Sequence, residues 1–444
     1  MTKDESIREL HYASASLLLY RSVLDGEVGR AFLNLLQALE VRQTFELLQA
    51  YGSWFQTLAS SDRTWQEYLI DRLLLTNNPF TQQIQQTPLE ELPKSLVSAA
   101  RRDLQILQRF YRCSSTRLCQ WVHAIAPLPS SIPLVAWEEQ PRKKIPQTDR
   151  ERWQIQIQEK LETSENWGKN LEDLAAYYQK FGTGFFAEYR AFRWQSGQLE
   201  GIRYPDSIQL SELAAYELPK QKLLENTEFL LRGYSALHVL LYGSRGSGKS
   251  SLIKSLVWEY GDRGLRLIEV AKSELIDLPK IVDQLRHQPQ KFIIFVDDLS
   301  FEEDDDAYKA LKVILEGNLT ERPRNVVVYA TSNRRHLIRE YFDDRPRPKD
   351  SDEVHAWDTV QEKLSFSDRF GLTLTFEAAD QKTYLAIVNH LAQQAKIDLE
   401  PEDLQFRALQ WATRNNGRSG RTARQFIDFL SAELSIKKPK PLLK

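Results

Sequence analysis

Cysteine is nearly absent from this chain of 444 residues: Cys113 and Cys119, in the stretch RCSSTRLCQW, are the two it has. A structural zinc site needs two more thiolates or imidazoles at set spacing, and none lie nearby. So few thiols fit a reducing cytosol. Long apolar runs are missing too. The longest early one, Leu17-Leu18-Leu19-Tyr20, is far too short to cross a bilayer, and the charged N-terminus MTKDESIREL lacks the pattern of a secretory signal. A charge excess is also lacking: 59 Lys and Arg stand against 61 Asp and Glu, for a net charge of −2. That removes the overall basic excess of a typical nucleic-acid binder, while leaving a local basic groove open. With 42% apolar and 27% charged residues, the expectation is a soluble cytoplasmic protein of two or three domains without a membrane partner.

Residues 1–126 read as a helical domain, poor in glycine, with apolar residues three and four apart, as in Phe32, Leu35, Leu36 and Leu39. Arg101, Arg102 and Arg109 sit there among Asp103 and Gln108, which suits a solvated helix face better than a nucleic-acid groove. Residues 127–204 open with Pro127, Pro129, Pro133, Pro141 and Pro146, as a linker or extended arm would. A helical stretch follows, then FGTGFFAEYRAFRW, whose glycines mark a turn and whose aromatics read as packing residues. Over 205–376 short β-branched runs (HVLLYG, LRLIEV, FIIFVDD, NVVVYATS, LTLTF) alternate with amphipathic stretches, the pattern of a parallel sheet wound by helices. Residues 377–435 are helical again, and 436–444 form a basic tail. No internal repeat is visible.

LLYGSRGSGKSS carries the strongest motif. Gly243 to Ser250 match G-x-x-x-x-G-K-[ST] without a gap, after an apolar strand and before a helix. In that context Gly243, Ser244, Arg245, Gly246, Ser247, Gly248, Lys249, Ser250 and Ser251 are the expected nucleotide-binding set. Glycines let the backbone N–H groups wrap the phosphates, Lys249 reaches the β and γ phosphates, and Ser250 holds Mg²⁺. A glycine-rich turn with a chance lysine is the bland alternative, and the strand–loop–helix context weighs against it.

FVDDLSFEEDDD places seven carboxylates within positions 297–306. Asp297 ends a buried strand, where ligands of open α/β sheets bind, and is the candidate Walker B metal ligand. Asp304, Asp305 and Asp306 precede a helix with Tyr308, Leu311 and Leu315 on one face, so the helix dipole accounts for them. A calcium loop fails for want of glycine at its sixth position.

With ATSNRRHLI, EKLSFSDRFGL and RSGRTARQF, these segments resemble the AAA+ superfamily of ring-forming ATPases, and most closely the bacterial predicted-ATPase family known as domain of unknown function 815. The resemblance covers about residues 180–435. It implies a P-loop α/β core with a five-stranded parallel sheet, a helical C-terminal lid, and ATP and Mg²⁺ as cofactors. It makes Asn333 sensor 1, although a strand-end asparagine also caps turns. Arg369 becomes the finger offered to a neighbouring subunit, hence a homo-oligomer, against the alternative of an internal ion pair with Asp368 or Glu362. Arg421, with Arg424 as close competitor, becomes sensor 2, and Tyr216 lies beside the adenine or else packs at a domain edge. One position departs: AAA+ proteins usually follow the Walker B aspartate with glutamate, and here it is Asp298. Its carboxylate sits roughly 1.5 Å further back, so the expectation is slow hydrolysis, with Glu302 as a conceivable compensator. Residues REYFDDRPRPKDSDEVHAWD are too long for a plain connection and read as a partner-contacting loop.

Three functions compete. An AAA+ ATPase remodelling or loading an unknown macromolecular client comes first, with a protein client expected and nucleic acid left open. A slow-hydrolysing nucleotide switch or adaptor is the alternative that Asp298 supports. A small-molecule P-loop kinase lacks a visible acceptor pocket and would not need the finger or lid. No aromatic pore loop stands out after the second strand, where AKSELIDLP reads as a helix start, so a threading unfoldase is the less supported motor.

Overall fold

The structure, a computed structural model, describes residues 3–61, 63–129, 131–137, 148–301, 306–316, 323–334, 337, 366–415 and 417–437. The expected partner-contacting loop, Glu302, and all of the basic tail beyond 437 lie outside these. The chain forms two compact units, Met1–Glu188 and Tyr189–Lys444. The division falls inside the stretch that the sequence suggested was linker and aromatic segment.

The first unit is helical. Its helix Glu27–Val41 buries Val28, Ala31, Phe32, Leu35, Leu36 and Leu39 along one face, as their three-and-four spacing dictates. Trp65 opens the helix Trp65–Leu75 behind a Thr64–Glu67 capping box and donates its indole N–H to Phe110 O at 2.8 Å. Asp103 is buried because its charge is satisfied: Oδ2 accepts from the backbone N–H groups of Leu18, Leu19 and Tyr20 at 2.9, 2.7 and 3.1 Å, and Oδ1 from Arg102 Nη1 at 3.2 Å. Arg101 and Arg102 bond within this unit, to Glu172 and to Ser16 O. The helices Asp149–Thr163 and Leu171–Phe181 belong to the same core through Ile157, Leu161, Leu174 and Tyr178.

The second unit is built on a seven-stranded sheet. Its strands are β1 (Ala191–Gln195), β2 (Gln198–Gly201), β3 (Val239–Gly243), β4 (Leu265–Val270), β5 (Lys291–Val296), β6 (Val326–Ser332) and β7 (Leu372–Phe376). Their order is β2-β1-β4-β5-β6-β3-β7. The five expected strands are there, all parallel, in the order β4-β5-β6-β3-β7, so the core is the AAA+ α/β core that the resemblance implies. Two more extend the edge: β1 parallel to β4, and β2 antiparallel to β1. They form a hairpin because Ser196 and Gly197 both take positive φ, 51° and 78°, in a two-residue turn. β6 is buried at every position and β5 at all but its first, as strands covered on both faces must be.

Helices α1 (Glu217–Leu231), α2 (Lys249–Tyr260), α3 (Leu278–Leu285) and α4 (Asp306–Glu316) accompany the sheet. From α1, Asn226 and Thr227 reach the Tyr329 hydroxyl of β6 at 3.0 Å each. The lid is α5 (Gln381–Gln394), α6 (Pro401–Arg414) and α7 (Gly420–Lys437), with its own core of Tyr384, Val388, Leu391, Ala408, Phe426 and Leu430. Among the described residues no helix is long and apolar enough to cross a membrane.

Candidate active site

Three strands end at the same edge of the sheet. β3 runs into the loop 244–248, β5 into Asp297 and Asp298, and β6 into Asn333. Parallel strands share a C-terminal edge, so topology alone gathers these groups.

The loop is shaped by its glycines. At Gly243, φ is 138° and an added Cβ would lie 1.9 Å from Phe376 O, so only glycine lets β3 turn this close to β7. Ser244 N donates to that same carbonyl at 2.9 Å. Gly246 and Gly248 are left-handed, with φ of 73° and 93°. Ser247 Oγ ties the loop by donating to Ser244 O at 2.8 Å. Lys249, 6% exposed, opens α2 and donates from Nζ to Gly243 O at 2.9 Å, to Ser244 O at 2.7 Å and to Asn333 Oδ1 at 3.4 Å. Burial pushes its ammonium below the ordinary lysine range, against the opposing pull of Asp297 and Asp298.

The acids divide by role. Asp297 Oδ1 accepts from Ser250 Oγ at 2.6 Å and from Thr331 Oγ1 at 2.5 Å. Its Oδ2 has no donor among the described residues. A hydroxyl paired with one carboxylate is an all-oxygen set that suits Mg²⁺ completed by phosphate oxygens and water. No group of three or more His, Cys, Asp or Glu side chains that could hold a metal ion occurs among the described residues. Asp298 sits at φ 50° and its Oδ1 accepts from Asn333 Nδ2 at 2.6 Å. Asn333 therefore touches both Lys249 and Asp298.

These groups line a cavity of about 780 Å³, within the range of small-molecule sites. Arg245 through Ser251 line it; Gly243 and Ser244 do not, and act from behind as the turn itself. Tyr216 lines the cavity too. It is left-handed at φ 58° and half-buried, its hydroxyl donates to Glu377 O at 2.6 Å, and its ring lies 5.1 Å from that of Phe376. Burial, with Asp380 and Glu377 nearby, raises its phenol above the usual range.

The lid closes the other wall. Arg421 N donates to Gly246 O at 3.1 Å, which seats the start of α7 on the loop. The Arg421 side chain lines the cavity, is exposed, and has no hydrogen-bond partner among the described residues. Arg424 also lines it, but its Nη2 is 2.7 Å from Glu212 Oε2. Arg369, in the 3₁₀ turn Phe366–Arg369, does not line this cavity; its guanidinium lies over the Phe366 ring, 5.7 Å from the centroid.

Sequence reasoning named Tyr216 but overlooked Thr331 and the residues from Asp206 to Glu212; of these, Thr331, Asp206, Ser207, Ile208 and Glu212 line the cavity. Register was the available signal for Thr331: β5 pairs Val296 with Ala330, so the next residues, Asp297 and Thr331, fall side by side.

Among solved structures, a point mutant of Thermotoga maritima RuvB is 16% identical, with 53% of this chain and 68% of that chain covered and a TM-score of 0.37. The Thermotoga maritima RuvB Holliday junction branch migration motor is 15% identical, with 50% and 72% covered and a TM-score of 0.31. No curated protein matches. A family model described as "Protein of unknown function (DUF815)" matches residues 187–434, more than half of the chain, and the protein belongs to that family.

Proposed function

We propose that the second unit binds Mg²⁺–ATP and hydrolyses it to ADP and phosphate, in a homo-oligomer that acts on a macromolecular partner. One observation carries this reading. Lys249, Ser250, Asp297, Asp298 and Asn333 meet at one sheet edge under a loop whose left-handed glycines turn its backbone into a phosphate cradle. Lys249 takes the β and γ phosphates, exchanging its two carbonyl partners for phosphate oxygens. Ser250 and the open oxygen of Asp297 hold Mg²⁺, which supplies Lewis-acid charge at the phosphates when bound. Asp298 accepts the proton of the attacking water and Asn333 orients that carboxylate. Arg421, which lines the cavity and has no side-chain partner among the described residues, is the lid's phosphate sensor, and Tyr216 lies beside the base. Arg369, which does not line the cavity of its own chain, serves a neighbouring subunit, as the AAA+ resemblance implies.

The slow nucleotide switch stays as second reading because Asp298 is one methylene short of the usual glutamate. Steady-state hydrolysis over a wide range of protein concentration, with Arg369→Ala and Lys249→Ala beside the wild type, separates the two. The ATPase reading expects a rate per protomer that climbs with concentration. It expects a loss of about 10³-fold without Arg369, and no activity without Lys249. Nucleotide binding with background turnover at every concentration would leave the switch.

A further inference from the structure

Thr331, 2% exposed, offers one proton and takes up two partners. Its hydroxyl donates to Asp297 Oδ1 at 2.5 Å and accepts from the backbone N–H of Asp298 at 2.9 Å. The directions are fixed, because an ionised carboxylate only accepts and an N–H only donates. Asp297 Oδ1 thus takes the Thr331 and Ser250 hydroxyls, with the Asp298 N–H also within 3.2 Å. Those donors crowd one oxygen, while Oδ2 has no donor among the described residues. On the Asp298 side the same hydroxyl anchors the amide of a residue at φ 50°, a conformation that non-glycine residues seldom adopt without local support. That backbone presents the carboxylate to Asn333. The backbone carbonyl of Thr331 separately accepts from Leu299 N at 2.7 Å, so the chain after β5 stays tied to β6 whatever side chain stands at 331.

We propose that Thr331 is a positioning residue for the ATPase reading on which this inference rests, its hydroxyl setting both the metal-facing oxygen of Asp297 and the backbone of Asp298. It acts through those two acids. The position is distinctive because one strand-end hydroxyl controls two acids with separate duties. A hydroxyl that only satisfied buried groups would matter for stability and not for either duty.

The test uses the full chain with Thr331→Ser, which keeps the hydroxyl, and Thr331→Val, which keeps the shape without it. If Thr331→Val does not fold, Thr331→Ala takes its place as the hydroxyl-free variant. Hydrogen exchange is followed by mass spectrometry in the peptide carrying Asp298, without nucleotide. A fluorescent ADP analogue is titrated in EDTA and in Mg²⁺, and kcat is measured. Without the hydroxyl, exchange at Asp298 speeds up, affinity in EDTA stays within about twofold, the gain from Mg²⁺ shrinks, and kcat falls about 10- to 100-fold. Thr331→Ser restores all four. Unchanged exchange and kcat in Thr331→Val, or a Thr331→Ser as impaired as Thr331→Val, overturns the assignment. So does a loss of EDTA affinity equal to the loss in Mg²⁺. If the wild type itself shows no turnover, the ATPase reading fails, and Thr331 is judged on exchange and the Mg²⁺ gain alone.

Discussion

At position 298 the backbone offers a reason for aspartate where the AAA+ pattern has glutamate. The left-handed region is entered by Asp and Asn more readily than by longer side chains, because a short polar group can bond locally. Asp298 does so at φ 50°, with its carboxylate 2.6 Å from Asn333 Nδ2. A glutamate on the same backbone would carry its carboxylate roughly 1.5 Å further out and past that amide. Asp298→Glu is therefore expected to slow hydrolysis by about tenfold. Asp298→Asn keeps the backbone and loses the base, so turnover should fall by about 100-fold while the melting temperature stays within about 2 °C. Hydrolysis assays paired with thermal melts read both variants. An Asp298→Glu protein faster than the wild type would mean that reach limits the natural site, and would favour the switch.

The segment Asp206–Tyr216 acts as a strap between α2 and the lid. From α2, Trp258 Nε1 donates to Asp206 O at 2.6 Å. From α5, the His390 ring and the Gln394 amide, one turn apart, meet Ser211 O at 2.6 and 2.8 Å. From α7, Arg424 pairs with Glu212 at 2.7 Å. That last bond separates two arginines that the sequence left as competitors for sensor 2: one is committed to the strap and the other is open to the cavity. Arg421→Ala should then weaken ATP binding by about tenfold or more, and Arg424→Ala should leave it within about threefold. Glu212→Gln removes only a partly exposed ion pair, which costs the fold about 1 kcal/mol at most. It frees Arg424 toward the phosphates and should favour ATP over ADP. Equilibrium titrations with both nucleotides check this, and an Arg424→Ala weaker than Arg421→Ala would reverse the roles. The P-loop and Asp297 were legible because their spacing is local: nine consecutive residues, and a strand end. The strap was not, because Ser211 and Glu212 meet partners at 390, 394 and 424 that only the folded lid brings near. The β1–β2 hairpin was missed. Its Ser196-Gly197 turn is a readable signal, but the aromatics before it read most economically as packing residues.

Each unit has a hydrophobic interior of its own. The first core is drawn from Ile7 to Phe181 and includes the fully buried Trp54, Trp65 and Trp167. The sheet has a core that includes Leu223, Leu256, Ile293 and Tyr329, and the lid one that includes Tyr384, Val388 and Leu430. The family match starts at residue 187, beside the division after Glu188, and every residue of the candidate site lies beyond it. A unit of this size with several buried tryptophans encloses enough apolar surface to fold unaided. Residues 1–188 should accordingly melt as one cooperative transition when produced alone. Residues 189–444 should bind nucleotide within about threefold of the full chain, since no ligand-facing group is lost. Calorimetry on the first fragment and nucleotide titration on the second test the division independently. A first fragment without a cooperative melt would make its core dependent on the rest of the chain. A second fragment with affinity lowered by more than about tenfold would mean that the helices shape the site, and the ATPase could no longer be assigned to residues 189–444 alone. If both fragments behave as expected, a hydrolysis rate that differs between the second fragment and the full chain isolates what the helical unit adds, which is where the macromolecular partner is then to be sought.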